Sequence, residues 1–431
     1  MRIILLFFLL FPLLLQSQTK RLFVKTNRTQ FSLNGKSYYF IGANYWYGGL
    51  LALQKDPQKG KARLIYELDF MRSNGVSNLR VLVGAEGTGP INGVKRVSPA
   101  LQPKKGGFNE DVLKGLDLLL TEMAKRDMKA VLYLSNNWEW SGGFLQYLNW
   151  NGLLADSTLQ RKPGWDELRD QVSMFYSCGS CKSDYEHQLR YVLKHKNIYS
   201  GISYINEPAI MSWEIANEPR PMRPGAIEDY KKWISSITSI IRSIDKNHLI
   251  TIGTEGIIGT ENSKELYTAI HTQSAIDYLT IHIWPKNWGW YADTSIAAAM
   301  PVIIQKTKEY IDDHERIALQ INKPLVIEEF GLPRDQQSFS SESPVTSRNT
   351  YYKFILEEHK RSVKNKGPIA GINFWAFSGS ARPIPGQLFW KEGNDLMGDP
   401  PQEEQGINSV FDCDRTTWAL IKKYTKLLKK K

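Results

Sequence analysis

The feature that most constrains the fold is a series of eight short apolar runs, each followed by a polar, aromatic-bearing stretch and then by amphipathic helical sequence. The runs are YYFIGAN (38–44), VSNLRVLVG (76–84), AVLYLSNN (130–137), IMSWEIAN (210–217), LITIGT (249–254), DYLTIHIW (277–284), PLVIEEF (324–330) and GINFWAF (371–377). Strands that are apolar on both faces, rather than alternating, belong to parallel sheets covered by helices outside and packed inside. The intervening segments carry 3.6-residue periodicity, clearest in EDVLKGLDLLLTEMAKRDM, DYEHQLRYVLKHK and AIEDYKKWISSITSIIRSI. This alternation predicts an α/β fold, a (β/α)8 TIM barrel. A doubly wound open sheet usually has fewer strands and a glycine-rich phosphate turn, which is missing here.

At 431 residues the chain exceeds a plain barrel of roughly 250 residues. The surplus falls after the third run (138–183), after the sixth (285–296) and after the eighth (378–415), in loops at the C-terminal face where barrels keep their active sites. No Ser/Gly/Pro-rich linker, low-complexity tract or internal repeat divides the chain, so a single domain with long βα loops is expected. Ahead of it, MRIILLFFLLFPLLLQSQ has an early positive charge, an apolar core from Ile3 to Leu15 and small or polar residues at Ser17 and Gln18. These are the marks of a secretory signal peptide over residues 1–18, leaving 19–431 as the catalytic barrel in a secreted or periplasmic location. As a membrane anchor the stretch falls short of the ~20 residues of a spanning helix, Pro12 interrupts it, and no cysteine follows for lipidation.

The net charge of +11 comes from basic residues scattered along surface helices, with one true cluster in the C-terminal KKYTKLLKKK, so nucleic-acid binding is not expected. Of three cysteines, Cys178 and Cys181 could close a small local loop in an oxidising compartment, and Cys413 is left over. A zinc site recruiting His187 lacks the second CxxC or close histidine pair that would complete a tetrahedron. The expectation is a monomer without metal or cofactor.

The chemistry lies in two glutamates. Glu218, in WEIANEPRP, follows the fourth run, and Glu329, in LVIEEFG, closes the seventh. They are about three strand-plus-helix units apart, on one rim of the barrel. A glycosidase needs such a pair, one carboxyl to donate a proton and one to attack. Glu218 is the candidate acid/base, its pKa raised by burial or by the second carboxylate. Glu329 is the candidate nucleophile; neighbouring Glu328 points to the opposite side of the strand, against other strands or an ion-pair partner. The NEP triplet also occurs at 206–208, but Glu207 precedes its strand and belongs at the closed, stability-side end. Arg80, inside an apolar strand, needs a carboxylate at the barrel centre, and keeping Glu329 ionised is its expected task. His282 and Trp284 lie two apart and share a face, where imidazole and indole N–H can reach the site.

Trp46, Trp138, Trp140, Trp150, Trp284, Trp288, Trp290, Trp375 and Trp390 all sit at or just after strand C-termini. Flat apolar rings match the C–H faces of pyranoses, and Asn44, Asn136, Asn137 and Arg220 can serve hydroxyl groups, so a sugar-stacking cleft is expected, with core packing claiming about half of the rings.

Taken together, SWEIANEPRP, IHIWPKNWGW, VIEEFG and NFWAFSG resemble glycoside hydrolase family 5, most closely its endo-β-1,4-mannanases, over nearly the whole mature chain. The resemblance implies metal-independent endo-hydrolysis of mannan, glucomannan or galactomannan with retention, Glu218 as acid/base and Glu329 as nucleophile. It also implies supporting or substrate-binding roles for Trp46, Arg80, Asn136, Asn217, His282, Trp284 and Trp375, and substrate contact by Arg220 beyond the cleaved bond. Many members carry tyrosine in place of Trp284 and histidine in place of Asn136, departures that bear on how the nucleophile is hydrogen-bonded and how the non-reducing-side sugar is held. The alternatives are an endo-β-1,4-glucanase of the same fold and a non-catalytic polysaccharide-binding barrel. A serine hydrolase finds no G-x-S-x-G elbow.

Overall fold

The computed structural model describes residues 22–292 and 295–429. The eight runs form parallel strands: β1 Phe40–Asn44, β2 Asn78–Leu82, β3 Lys129–Tyr133, β4 Ile210–Glu214, β5 Leu249–Thr251, β6 Leu279–Ile283, β7 Leu325–Phe330 and β8 Ile369–Phe374. Each is followed by a helix: α1 Pro57–Ser73, α2 Glu110–Ala124, α3 Gly179–Leu193, α4 Ile227–Ile244, α5 Lys264–His271, α6 Ile296–Ile321, α7 Thr346–Lys364 and α8 Arg415–Lys429. The ladder runs β5-β4-β3-β2-β1-β8-β7-β6. Individual bonds close the seam between β5 and β6, with Asp277 N donating to Ile250 O at 2.8 Å and His282 N to Glu255 O at 3.0 Å. The Thr251 and Thr280 hydroxyls add bonds to Tyr278 O and Thr254 O. The result is the expected (β/α)8 barrel.

The helices dock as their patterns dictate. In α4, buried Tyr230, Trp233, Ile234, Ile237 and Ile241 recur at three- and four-residue intervals on one face. Helix α1 starts where Asp56 accepts from Lys59 N, with Pro57 in the first turn. No helix among the described residues is long and apolar enough to cross a membrane. The proposed leader, residues 1–18, lies outside the described residues.

One element has no counterpart in the sequence reading. Ahead of β1, Lys25–Asn27, Gln30–Leu33 and Lys36–Tyr38 form a three-stranded antiparallel sheet. It places Val24 and Phe31 against Phe40, Met211, Leu249, Tyr278, Val326 and Ala370, an apolar cluster that caps the N-terminal end of the barrel. The opposite end is elaborated by long loops. The β3–α3 connection carries short helices at Gly143–Trp150, Asp156–Gln160 and Trp165–Ser173, and the Cys178–Cys181 disulfide sits at the start of α3. In the β8–α8 loop, Asp399 accepts from Gly406 N, Asn408 N and Ser409 Oγ, fixing the chain over the barrel mouth.

Candidate active site

Strands β2, β3, β4, β5 and β8 end two to four residues before their apolar runs do, and the remainder of each run reaches into the mouth. Strand β4 stops at Glu214, and Asn217 still pairs in register with Asn136 beyond β3. Glu218 then turns into the left-handed region (φ 51°), its N–H bonded to Gly253 O at 2.9 Å. The turn directs the Glu218 carboxyl across the mouth toward Glu329, near the end of β7.

The two carboxyls and the His282 ring offer atoms that all lie within 4.8 Å of one another. Glu218 Oε1 is 2.6 Å from His282 Nδ1, and Oε2 accepts from Trp138 Nε1. Glu329 Oε1 accepts from Arg80 Nη1, and Oε2 from Trp284 Nε1 at 3.1 Å. Both carboxyls are nearly enclosed, 7% and 3% exposed.

Arg80 is the hub of the site. Besides Glu329, it donates through Nε and Nη2 to both oxygens of Glu214 at 2.8 and 2.5 Å, through Nη1 to Asn44 Oδ1 and through Nη2 to Asn217 Oδ1. Its guanidinium lies over the Tyr133 ring, 4.7 Å from the centroid. Glu328 is fully buried at a register shift between β6 and β7, 3.7 Å from Arg80 Nε and 3.8 Å from His282 Nε2, so it faces the same guanidinium as Glu329 rather than the opposite side of the strand. Glu214, Glu328 and Glu329 thus crowd around one guanidinium, while Glu218 is held by Trp138 and His282.

Burial is the main influence on both carboxyls and pushes both upward. Like charges this close cannot both ionise freely, so the pair retains a proton. Arg80 in direct contact draws the negative charge to Glu329 and leaves the proton on Glu218, which meets an indole N–H and an imidazole instead. His282 is neutral, because burial brings its pKa down to about 4.

On the other side of Glu218, the Arg220 guanidinium is paired with Glu255 and lies over the Trp138 ring, 5.2 Å from its centroid. Burial lifts Glu255 to about 7, against the pull of Arg220. Asn136 is fully enclosed, its amide committed to Asn217, Ser141 Oγ and the Trp138 N–H. Through these bonds it ties the end of β3 to Asn217 and to the Trp138 backbone beside Glu218. Trp46 is likewise sealed, donating to Gly398 O at 2.8 Å and packing edge-on against Trp140, so it supports the β8–α8 loop from below. Trp375 packs edge-on against Trp284, 5.9 Å between centroids, with its Nε1 unpartnered in the site.

Trp288 and Trp290 pack on each other and on Tyr310, and Trp390 donates to Asn394 O within its own loop. Glu207 lies at the start of β4, bonded to Ala209 N, at the closed end of the barrel as its sequence position implied. The sequence reading missed Glu214, Glu255 and the contact of Trp138 with Glu218. An acid inside an apolar strand, two strands from the one bearing a buried arginine, was the available sign for Glu214. Glu218, His282 and Glu329 have a donor set that could hold a metal ion. Their lone pairs already face Arg80, Trp138 and Trp284, and the Arg80 charge in contact with Glu329 opposes a second cation there.

Two enclosed carboxyls at the C-terminal mouth of a (β/α)8 barrel, one on a guanidinium and the other on neutral groups, are the working parts of a glycoside hydrolase. A family model described as "GH family 5 beta-mannosidase-like" matches residues 21–431, and the chain belongs to that family. It is 28% identical over 416 residues to mannan endo-1,4-beta-mannosidase 2 of Arabidopsis thaliana, covering 92% of this chain and 86% of that one. Mannan endo-1,4-beta-mannosidase 1 of the same plant is 30% identical over 367 residues, covering 82% and 81%. Among solved structures, a mutant of the glycoside hydrolase family 5 mannosidase from Rhizomucor miehei, in complex with mannosyl-fructose, superposes with a TM-score of 0.85 at 31% identity, covering 95% and 97%.

Proposed function

We propose that this protein is an exported, retaining endo-β-1,4-mannanase that cleaves internal bonds of mannan, glucomannan or galactomannan. The observation that carries the mechanism is the approach of the Glu218 and Glu329 oxygens to within 4.8 Å. Retaining glycosidases hold their carboxyls about 5–5.5 Å apart, whereas inverting ones leave roughly 6.5–9.5 Å for a water molecule. In the first step Glu329 forms a bond to the anomeric carbon as the glycosidic C–O bond breaks, and the proton of Glu218 passes to the departing oxygen. In the second, Glu218 takes a proton from water, the water oxygen bonds to the anomeric carbon, and the ester bond to Glu329 breaks.

Mannan as substrate is supported by the relatives' activities and by the long stretches over which they align. Export is supported by the leader sequence and by a disulfide of the kind that persists in oxidising compartments. The test is hydrolysis of mannohexaose with the first-formed anomer read by NMR, alongside reducing-sugar release from mannan and carboxymethylcellulose. A β-anomer and a preference for mannan are expected. An α-anomer would refute retention, and preference for carboxymethylcellulose would make the enzyme a glucanase.

A further inference from the structure

The acid/base marks the leaving-group side of the scissile bond, because its proton goes to the departing oxygen. From Glu218 a continuous strip of side chains leads outward. Trp138 donates to Glu218 Oε2, and Arg220 lies over the Trp138 ring. The Trp165 ring follows, its centroid 5.8 Å from the same guanidinium and 6.2 Å from that of Trp138, tilted by 32°. Trp138 is part-buried, whereas Trp165 is 52% exposed, the one exposed tryptophan among the described residues.

Trp165 is not a loosely tethered surface residue. It opens the helix Trp165–Ser173, which Arg223 clamps from the β4–α4 loop through Asp166 at 3.2 Å and Asp170 at 2.6 Å. From the same helix, Arg169 reaches Glu261 in the β5–α5 loop at 2.8 Å. The indole is therefore held by the two loops that carry Glu218 and Glu255, in line with the catalytic centre. An indole presented on a fixed support, with a guanidinium behind it and one face toward solvent, is a surface on which the C–H face of a pyranose can stack.

We propose that Trp165 forms a distal subsite for the leaving chain, stacking the sugar next beyond the one that receives the proton of Glu218. Trp138, in contact with the acid, flanks the first leaving sugar; Trp165, one ring further out, meets the second. This proposal rests on the proposed mannanase reading with Glu218 as acid/base, and its test is chosen so that a failure of the substrate reading and a failure of the Trp165 subsite give different results.

The test compares Trp165→Ala and Trp165→Phe with the full-length wild type on mannohexaose and on an aryl β-mannobioside, whose leaving group ends before Trp165. For Trp165→Ala, kcat/KM on mannohexaose should fall by about 5- to 20-fold, chiefly through KM, the loss expected of one aromatic contact. The aryl substrate should change by less than about twofold, and Trp165→Phe should keep most of the mannohexaose activity. Equal losses on both substrates would show that the ring merely supports the active site, and an unchanged mannohexaose rate would show that no sugar rests there; either result overturns the proposal. A wild type that prefers another β-linked glycan would overturn the mannan reading alone, and the same comparison on oligomers of that glycan would still decide the role of Trp165.

Discussion

In the proposed mechanism Glu218 and Glu329 are the same side chain with opposite duties, and their partners make the difference. Glu329 rests on Arg80, and Glu218 rests on Trp138 and a neutral His282. Glu218→Gln, which cannot donate the proton, should reduce kcat/KM on mannan by about 10²- to 10⁴-fold, with a much smaller loss on an aryl mannoside that needs no protonation to depart. The pH profile offers a second check. The active form has Glu218 protonated and Glu329 ionised, so the rate falls as pH rises through the elevated Glu218 pKa. Arg220 holds that pKa down, and Arg220→Met should therefore move the basic limb of kcat/KM to higher pH; a limb that stays put or moves down would contradict the assignment. Arg80 was legible because a charge inside an apolar strand needs a partner, and Glu218 and Glu329 because each closes or follows an apolar run at the C-terminal mouth; Glu214, also inside a strand, escaped notice because its partner lies two strands away. Glu255 and Trp138 were not legible, because their roles depend on which loops meet above the barrel.

At the scale of elements, the barrel strands could be read because helices cover one face and the interior packs the other, leaving uninterrupted apolar runs. The N-terminal sheet could not be read the same way. Its strands are short and half-exposed, and only Phe31 among their residues is fully buried. An Asn34-Gly35 pair between FSL and KSY was the available hairpin sign, and both residues adopt positive φ, 53° and 72°. Phe31 meets Tyr278 edge-on at 5.3 Å and Phe40 at 6.2 Å, closing the bottom of the barrel. Phe31→Ala should lower the unfolding free energy by about 3–5 kcal/mol in denaturant titration, with kcat on mannan unaltered. A large fall in kcat at a temperature where the variant is folded would show that the two ends of the barrel are coupled.

For the whole molecule, the barrel assigns stability to one end and chemistry to the other, and the loops beyond β3, β4, β5 and β8 enclose the catalytic carboxyls. That enclosure was only partly legible: loop lengths marked which connections were elaborate, but the burial of Trp46 and Asn136 follows from the folding of the β8–α8 and β3–α3 loops onto them. In the proposed mechanism Glu329 attacks and Glu218 gives up the proton. Reaction with a 2-deoxy-2-fluoromannosyl fluoride, followed by proteolysis and mass spectrometry, tests this most directly, because the fluorine slows release of the sugar-enzyme ester. The adduct should be found on Glu329; an adduct on Glu218, Glu328 or any other residue would contradict the account.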